Sequence, residues 1–352
     1  MAARLRVPLS VLDLCPVPAG ESTGEALRRS VDLARHAEGL GFTRYWVAEH
    51  HNLPGIASSA PAVLTGQLAA ATNAIRVGSG GVMLPNHPPL TVAEQFGTLE
   101  ALHPGRIDLG IGRAPGTDRE TARALRRSAD GRPAADFASQ LAELRAYFAS
   151  QDATDNPTPI RAIPAEGNEP AVWLLGSSGY SAELAGRLGL PFAFAYHLSA
   201  ASAANARPAL ALYRKTFTPS ATRKRPYSLI SVSVLCARDA ATARWLHGST
   251  RLSALRLKAG RPGLLPSPEE AAITAYSAAE QTVIAEATST HVVGDPATVT
   301  DALAQLASST GADELMVTTS AFDHAARVAS YALLARAAGR TRPRASSASH
   351  QP

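Results

Sequence analysis

The feature that most constrains this chain is its rhythm. Short apolar runs with a period of two alternate with longer, alanine-rich stretches of helical period from one end to the other. The strand-like runs are residues 5–14, 44–49, 75–84, 106–111, 172–175, 192–196, 229–235 and 314–319. Helical stretches follow them at 22–40, 61–72, 91–102, 134–149, 180–188, the low two hundreds, 297–307 and 323–338. Eight strands, each followed by a helix, predict an α/β fold, a (β/α)8 TIM barrel, with a doubly wound open sheet as second choice. Residues 237–287 are mostly helical and longer than one crossover needs, so a helical insertion is expected after strand seven, at about 237–290. One barrel domain then spans 1–338, and 339–352 form a basic, disordered tail.

Charge and cysteine content exclude several function classes. The formal charge is +5, but four arginines and no acid fall in 336–352, which leaves the rest near +1. A second basic stretch, 201–268, has twelve Lys/Arg against Asp239 alone. It reads first as a solvated helical surface and second as a rim that attracts an anionic cofactor or substrate. Sparse aromatics and the lack of a recognised module argue against nucleic acid. No apolar run approaches the roughly 20 residues that span a bilayer. The N-terminus reads as a first strand rather than a signal peptide, and a cytoplasmic location is expected. Cys15 and Cys236 are too few for a disulfide framework or a thiolate metal site.

Two corners of the rhythm are rich in glycine. Ile75 and Val77 are parted from Val82, Met83 and Leu84 by Gly78, Ser79, Gly80 and Gly81. Ile107, Leu109 and Ile111 run straight into Gly112, Arg113, Ala114, Pro115 and Gly116. Glycine inside a strand pattern marks a bend or a close approach by a ligand or another backbone. Two neighbouring strands with such small ends point to one flat ligand lying across them, on the face where barrels carry their sites.

Other strand ends carry chemistry. The second ends Ala48-Glu49-His50-His51-Asn52, and one histidine there suits general acid–base work because it titrates near neutrality. Adjacent strand residues face opposite ways, so His50 and His51 are not expected to share a ligand. Glu49, His51 and His87 are conceivable metal ligands, but no second carboxylate–histidine pair at ligand spacing supports them, and no metal is expected. The fifth strand ends Gly176-Ser177-Ser178-Gly179-Tyr180-Ser181, where a helix begins. Backbone N–H groups and hydroxyls at a helix start form a phosphate cradle, although a plain serine N-cap would look the same. Without GxGxxG in a βαβ unit or GxxxxGK[ST], the phosphate would belong to a mononucleotide.

Taken in order, the motifs resemble the bacterial luciferase-like flavin-dependent monooxygenases, in the group that includes the mensacarcin-pathway oxygenase type. The resemblance is carried by Glu49 to Asn52, Val77 to Pro85, Glu94-Gln95, Gly105-Arg106 through Gly112-Arg113, Gly176 to Ser181 with Gly189-Leu190-Pro191, and His291 to Pro296. These motifs lie within about residues 7–320, most of the chain.

That family is a (β/α)8 barrel using FMN, as FMNH2 delivered by a separate NAD(P)H-dependent flavin reductase, and O2. The resemblance implies oxygenation of a small organic substrate through a peroxyflavin, possible in secondary metabolism, and commonly a homodimer. Gly80-Gly81 would match a non-proline cis peptide beneath the flavin ring, with Met83 beside it. Arg113 and the turn Ser177, Ser178, Gly179, Tyr180 and Ser181 would match the phosphate site, and His50 the active-site histidine. Gly112 stands where luciferases have a cysteine, a change expected to enlarge the pocket and to argue against light emission. The insertion at 237–268 is the expected lid, and its Arg251, Arg256 and Lys258 could draw in an anion. Leu14, Asn52, Ile56, Met83 and His197 are candidate substrate-pocket residues. Hydride transfer with F420, a non-enzymatic flavin carrier and a metal-dependent barrel hydrolase are the alternatives.

Overall fold

The computed structural model describes residues 5–114, 116–125, 137–149 and 160–340. Its elements run β1 (Leu9–Asp13), α1 (Thr23–Gly39), β2 (Arg44–Val47), α2 (Pro61–Ala71), β3 (Arg76–Met83), α3 (Pro89–Leu102), β4 (Ile107–Gly112), α4 (Arg119–Leu125) and α5 (Phe137–Ala146). They continue with β5 (Ala171–Gly176), α6 (Gly179–Arg187), β6 (Phe192–Ala195), α7 (Ala200–Thr216), β7 (Ser228–Cys236), α8 (Ala240–Lys258), α9 (Pro268–Ile273) and α10 (Ala278–Ala287). The chain closes with β8 (Val292–Gly294), α11 (Pro296–Thr310), β9 (Glu314–Thr318) and α12 (His324–Ala337).

Strands β1 to β6 pair in parallel in chain order. Strand β6 meets β7 at Phe192 and Ser228, β7 meets β9, and β9 returns to β1 at Leu315 and Leu9. Eight parallel strands therefore close into the expected TIM barrel. A ninth strand departs from the sequence reading. Val292–Gly294 pairs only with the far end of β7, at Val234 to Cys236, and so lies outside the closed ring. Its three residues are too few to show a period. The three helices α8, α9 and α10 occupy the span between β7 and β8. At the other end Gly339 and Arg340 close α12 through backbone bonds to Arg336 and Ala335, and the rest of the expected tail, 341–352, lies outside the described residues.

Alternation along the strands sorts side chains into two layers. Val11, Tyr45, Val47, Val77, Leu109, Leu174, Phe192 and Leu315 belong to the large cluster shared with the surrounding helices. Leu12, Trp46, Ala48, Trp173, Ala193, Leu229 and Met316 fill the barrel interior. Trp46, Trp173 and Tyr227 pack edge to face at 5.2 and 5.8 Å. Beneath them Arg44 donates to Asp108 at 2.8 Å and to both oxygens of Glu314 at 2.8 and 3.1 Å, with its guanidinium 4.7 Å from the Trp173 ring. Trp46 Nε1 and Arg76 complete the shell of Asp108, and Tyr227 and Ser10 that of Glu314. Burial opposes the Arg44 charge, but the two carboxylates outweigh it and raise its pKa. This paired plug closes the lower barrel, which leaves the C-terminal strand ends as the open side.

Candidate active site

A cavity of about 180 Å³ sits over the C-terminal ends of β1 to β6. Its walls take Leu12 and Leu14 from β1, Ala48 and His50 from β2, and Gly80 and Met83 from β3. Gly112 ends β4 and Arg113 follows it, Leu175 and Gly176 end β5 and are followed by Ser177 and Ser178 with Ser181 on α6, and Ala195 ends β6 with His197 after it. Eight of the eleven residues proposed from sequence, His50, Gly80, Met83, Gly112, Arg113, Ser177, Ser178 and Ser181, thus come from four strand ends into one cavity. Gly81, Gly179 and Tyr180 do not line it. Gly81 is turned into the sheet, where a Cβ would lie 2.7 Å from the Gly110 carbonyl oxygen. Gly179 begins α6, and Tyr180 stands on the outer surface.

The glycines have a steric reason. The Gly80-Gly81 peptide is cis, as the sequence reading proposed, and the β3–β4 register slips there, with Gly80 opposite Gly110 and Val82 opposite Ile111. The strand continues through this bulge instead of breaking at it. A Cβ on Gly80 would stand 2.8 Å from Leu12 and 3.1 Å from Trp46, against the interior layer that floors the cavity. At Gly112 the expected enlargement does not occur. The Met83 sulfur already occupies that space, 2.7 Å from where a Cβ would be. An unbranched thioether is well suited to filling such a gap.

The turn after β5 leaves a helix start uncommitted. Elsewhere Ser22, Ser199, Asp239, Ser267, Ser277, Asp295 and Asp323 each accept a bond from a first-turn backbone N–H. Ser178, in extended backbone at the N-cap of α6, makes no such bond. Its hydroxyl and the first N–H groups of α6 therefore remain available at the cavity edge, a favourable position for an anion. Arg113 is exposed beside them, with its guanidinium 4.5 Å from the Tyr180 ring centre. Tyr180 thus reaches the site indirectly, by steadying the cation.

The histidines divide as the strand alternation requires. His50 lines the cavity, 3.3 Å from the Gly116 carbonyl, and burial lowers its pKa. His51 turns away and joins His87 on Glu49 Oε1, each at 2.9 Å. Asn86 and the Met83 N–H also bond to this carboxylate. Burial alone would raise the Glu49 pKa, but the bonds from His87, His51 and Met83 bring it below the usual value. Glu49 is thereby a brace between the ends of β2 and β3. Among the described residues no group of three or more His, Cys, Asp or Glu is arranged to hold a metal ion. His197 lines the same cavity as His50. Its Nδ1 lies 2.8 Å from Ser231 Oγ, and burial pushes its pKa down to about 4.

Leu14 and His197 also line a second cavity of about 270 Å³ under the insertion. Its other walls include Pro16, Leu53 and Ile56, the α8 residues Thr250, Ser253, Ala254 and Leu257, the 262–265 segment, His291 and Ser320. The insertion is stitched down at this rim by Ala19 N–H to Leu265 O and Leu265 N–H to Val17 O, both 2.8 Å. Asn52 lines neither cavity and instead bonds to Asp118. Nor does any cation of the insertion line them: Arg256 pairs with Glu270, while Arg251 and Lys258 face solvent.

A family model for luciferase-like monooxygenases matches residues 7–314 of the chain. The chain belongs to the luciferase-like monooxygenase family. A luciferase-like monooxygenase of Escherichia coli (strain K12) is 47% identical over 327 residues, 93% of this chain and 96% of the relative. The N-acetyl-S-alkylcysteine monooxygenase of Bacillus subtilis (strain 168) is 44% identical over 195 residues, 55% of this chain and 58% of the relative. The crystal structure of apo-MsnO8 superposes with a TM-score of 0.84 at 38% identity, covering 96% of this chain and 99% of that one. Two more distant structures share the fold alone. One is the oxygenating constituent of 3,6-diketocamphane monooxygenase of Pseudomonas putida with FMN, at 18% identity and TM-score 0.67, covering 95% and 98%. The other is an F420-dependent secondary alcohol dehydrogenase, at 14% identity and TM-score 0.63, covering 95% and 99%.

Within this family frame, the sequence reading placed His197 only as a pocket wall and gave no role to His291 beyond its motif. The structure sets His197 against Ser231 on β7, and puts His291 Nδ1 2.9 Å from His247 Nε2 on α8. Each partner is more than thirty residues away, so no local spacing signals the pair.

Proposed function

We propose that the chain is an FMN-dependent monooxygenase that uses FMNH2 and O2 to oxygenate a small organic molecule. The observation that carries this is the uncapped α6 start at Ser178, beside Arg113, on the rim of a cavity floored by Gly80 and Met83. A phosphate would be held by Ser177, Ser178, Ser181, the α6 N–H groups and Arg113. The flat ring system would lie toward the Gly80 side, where the lack of a side chain leaves room over Leu12 and Trp46. Reduced flavin, when bound, supplies the two electrons with which one oxygen atom enters the substrate and the other leaves as water.

The protein's own part is positioning, proton handling and exclusion of water. His50, with its pKa lowered by burial, is neutral at pH 7 and can accept or donate a proton at the cavity wall. Leu12, Leu14, Ala48, Leu175 and Ala195 make that wall mostly apolar, and the stitched insertion roofs the neighbouring space. The described residues build one barrel and no separate dinucleotide fold, which favours supply of FMNH2 by a separate NAD(P)H-dependent reductase. A homodimer is proposed on the family resemblance alone.

F420 is the second reading, favoured by the F420-dependent structure that shares the fold. The deciding experiment mixes the chain anaerobically with FMNH2 or reduced F420 and follows binding, then admits air. Tight FMNH2 binding followed by oxygen-dependent turnover of a small-molecule panel is expected. Binding of F420 without FMNH2, or binding of neither, would reject the proposal.

A further inference from the structure

The second cavity has a chemical character that the basic composition of its own insertion conceals. Residues 201–268 are rich in Lys and Arg, yet none of them, and no Asp or Glu, lines the space. Leu14, Pro16, Leu53, Ile56, Leu257 and Leu265 supply its large apolar side chains. The remaining polarity is concentrated in two imidazoles, with hydroxyls nearby. Thr250 is already committed, donating to the Ser320 carbonyl at 3.0 Å. His197 spends Nδ1 on Ser231 and His291 spends Nδ1 on His247. Among the described residues no partner is recorded for Nε2 of either histidine.

We propose that this cavity is the substrate chamber and takes an uncharged, mostly apolar small molecule whose one polar group, a carbonyl or comparable oxygen, meets His197 and His291. The oxygenation of that molecule rests on the monooxygenase reading above; its binding does not. Burial lowers the pKa of both histidines to about 4, so each is neutral at pH 7 and offers a carboxylate no positive charge. The remaining charge near the pair, Arg251, disfavours protonation of His247, which itself is depressed to about 3 by burial and by His291. An ionised carboxylate would therefore lose its water without gaining an ion pair, which is strongly unfavourable. A neutral carbonyl needs only a hydrogen bond, which a neutral imidazole donates from Nε2 when its Nδ1 accepts, from Ser231 for His197 and from His247 for His291. The volume of about 270 Å³ has room for a small molecule. Because Leu14 and His197 border both cavities, the polar end of such a ligand faces the first cavity while its apolar part lies under α8.

The test uses the full chain without cofactor and isothermal titration calorimetry with octan-2-one and octanoate at pH 7.5, two probes of nearly equal length that differ in charge. Octan-2-one is expected to bind about 100-fold more tightly than octanoate. Ala254→Trp, which fills the chamber from α8, is expected to abolish ketone binding. Ser253→Arg, which places a cation in the same wall, is expected to narrow or reverse the preference, and it also serves if the tryptophan variant does not fold. FMN titrated in parallel against wild type and Ala254→Trp should bind equally to both. Octanoate binding as tightly as the ketone to wild type, ketone binding undiminished by Ala254→Trp, or no ketone binding would overturn the proposal. Loss of FMN binding to wild type, with the ketone preference intact, would instead reject the flavin reading alone.

Discussion

Replacing Ser178 with alanine separates a ligand contact from a helix cap. In the structure the Ser178 hydroxyl accepts no bond from the first turn of α6, so its removal takes nothing from the fold. If it bonds to a flavin phosphate, it makes a hydrogen bond to a charged group, which contributes about 1.5–3 kcal/mol. At about 1.4 kcal/mol per decade, FMN affinity should fall by roughly 10- to 150-fold. Riboflavin lacks the phosphate and should bind the variant as it binds wild type. Asp295→Ala is the control, because Asp295 accepts from Ala297 N–H at 3.0 Å and Thr298 N–H at 3.1 Å. Losing such a cap costs about 0.5–2 kcal/mol, and each kcal/mol lowers Tm by roughly 2–4 °C in a large domain. Flavin fluorescence quenching gives the affinities and thermal unfolding gives the stabilities. Equal loss of FMN and riboflavin, or a Tm drop in Ser178→Ala matching that of Asp295→Ala, would refute the reasoning.

Arg44→Met leaves the fully buried Asp108 and Glu314 without their shared cation, and should destabilise the chain by about 3–5 kcal/mol in urea unfolding. Gly112→Cys crowds the Met83 sulfur and should cost about 1–3 kcal/mol, whereas in a Met83→Ala background most of that cost should vanish in a double-mutant cycle. Tyr180→Leu releases the Arg113 guanidinium and should weaken FMN binding only about 2- to 5-fold, with Arg113→Ala weaker still, as read by the same quenching assay. For pH, His197 and His291 have folded-state pKa values near 4, below the ordinary 6.5. The unfolded chain therefore binds more protons between those values, so their contribution to stability is complete above about pH 6.5 and declines as pH falls toward 4. His291→Gln should flatten the dependence of the urea midpoint on pH in that window; an unchanged slope would contradict the assignment.

What could be read from the sequence, and what could not, follows from how far apart the cooperating residues lie. The βα rhythm, the crowded Gly80-Gly81 corner and the serine-rich start of α6 are local patterns, and each falls where it was expected. Backbone geometry at a strand end depends on its own few residues, so glycine and serine there are informative. The brace around Glu49 was partly legible, since Glu49, His51 and His87 stood out as a possible metal set. Their true relation, two imidazoles on one carboxylate oxygen, needed the loop after β3 to be placed. Met83 shows the same limit. Its place at the cavity follows from the motif, but its filling of the space beside Gly112 depends on the contact between β3 and β4 side chains.

The plug and the chamber were hidden for a stronger reason. Arg44, Asp108 and Glu314 come from β2, β4 and β9, and nothing in their local sequence marks them as partners. Net charge misleads in the same way at the insertion. Composition assigns 201–268 a strongly basic character, but α8 turns Ser253, Ala254 and Leu257 to the chamber and its cations to solvent or to Glu270. A helix divides charge from apolar surface by face, and a sum over residues erases that division. The lining that meets a ligand is therefore the relevant quantity for substrate charge. Here it consists of aliphatic side chains, three hydroxyl residues and two neutral imidazoles, which favours a neutral substrate through packing against β1 and the β2 loop, in opposition to the chain's overall charge.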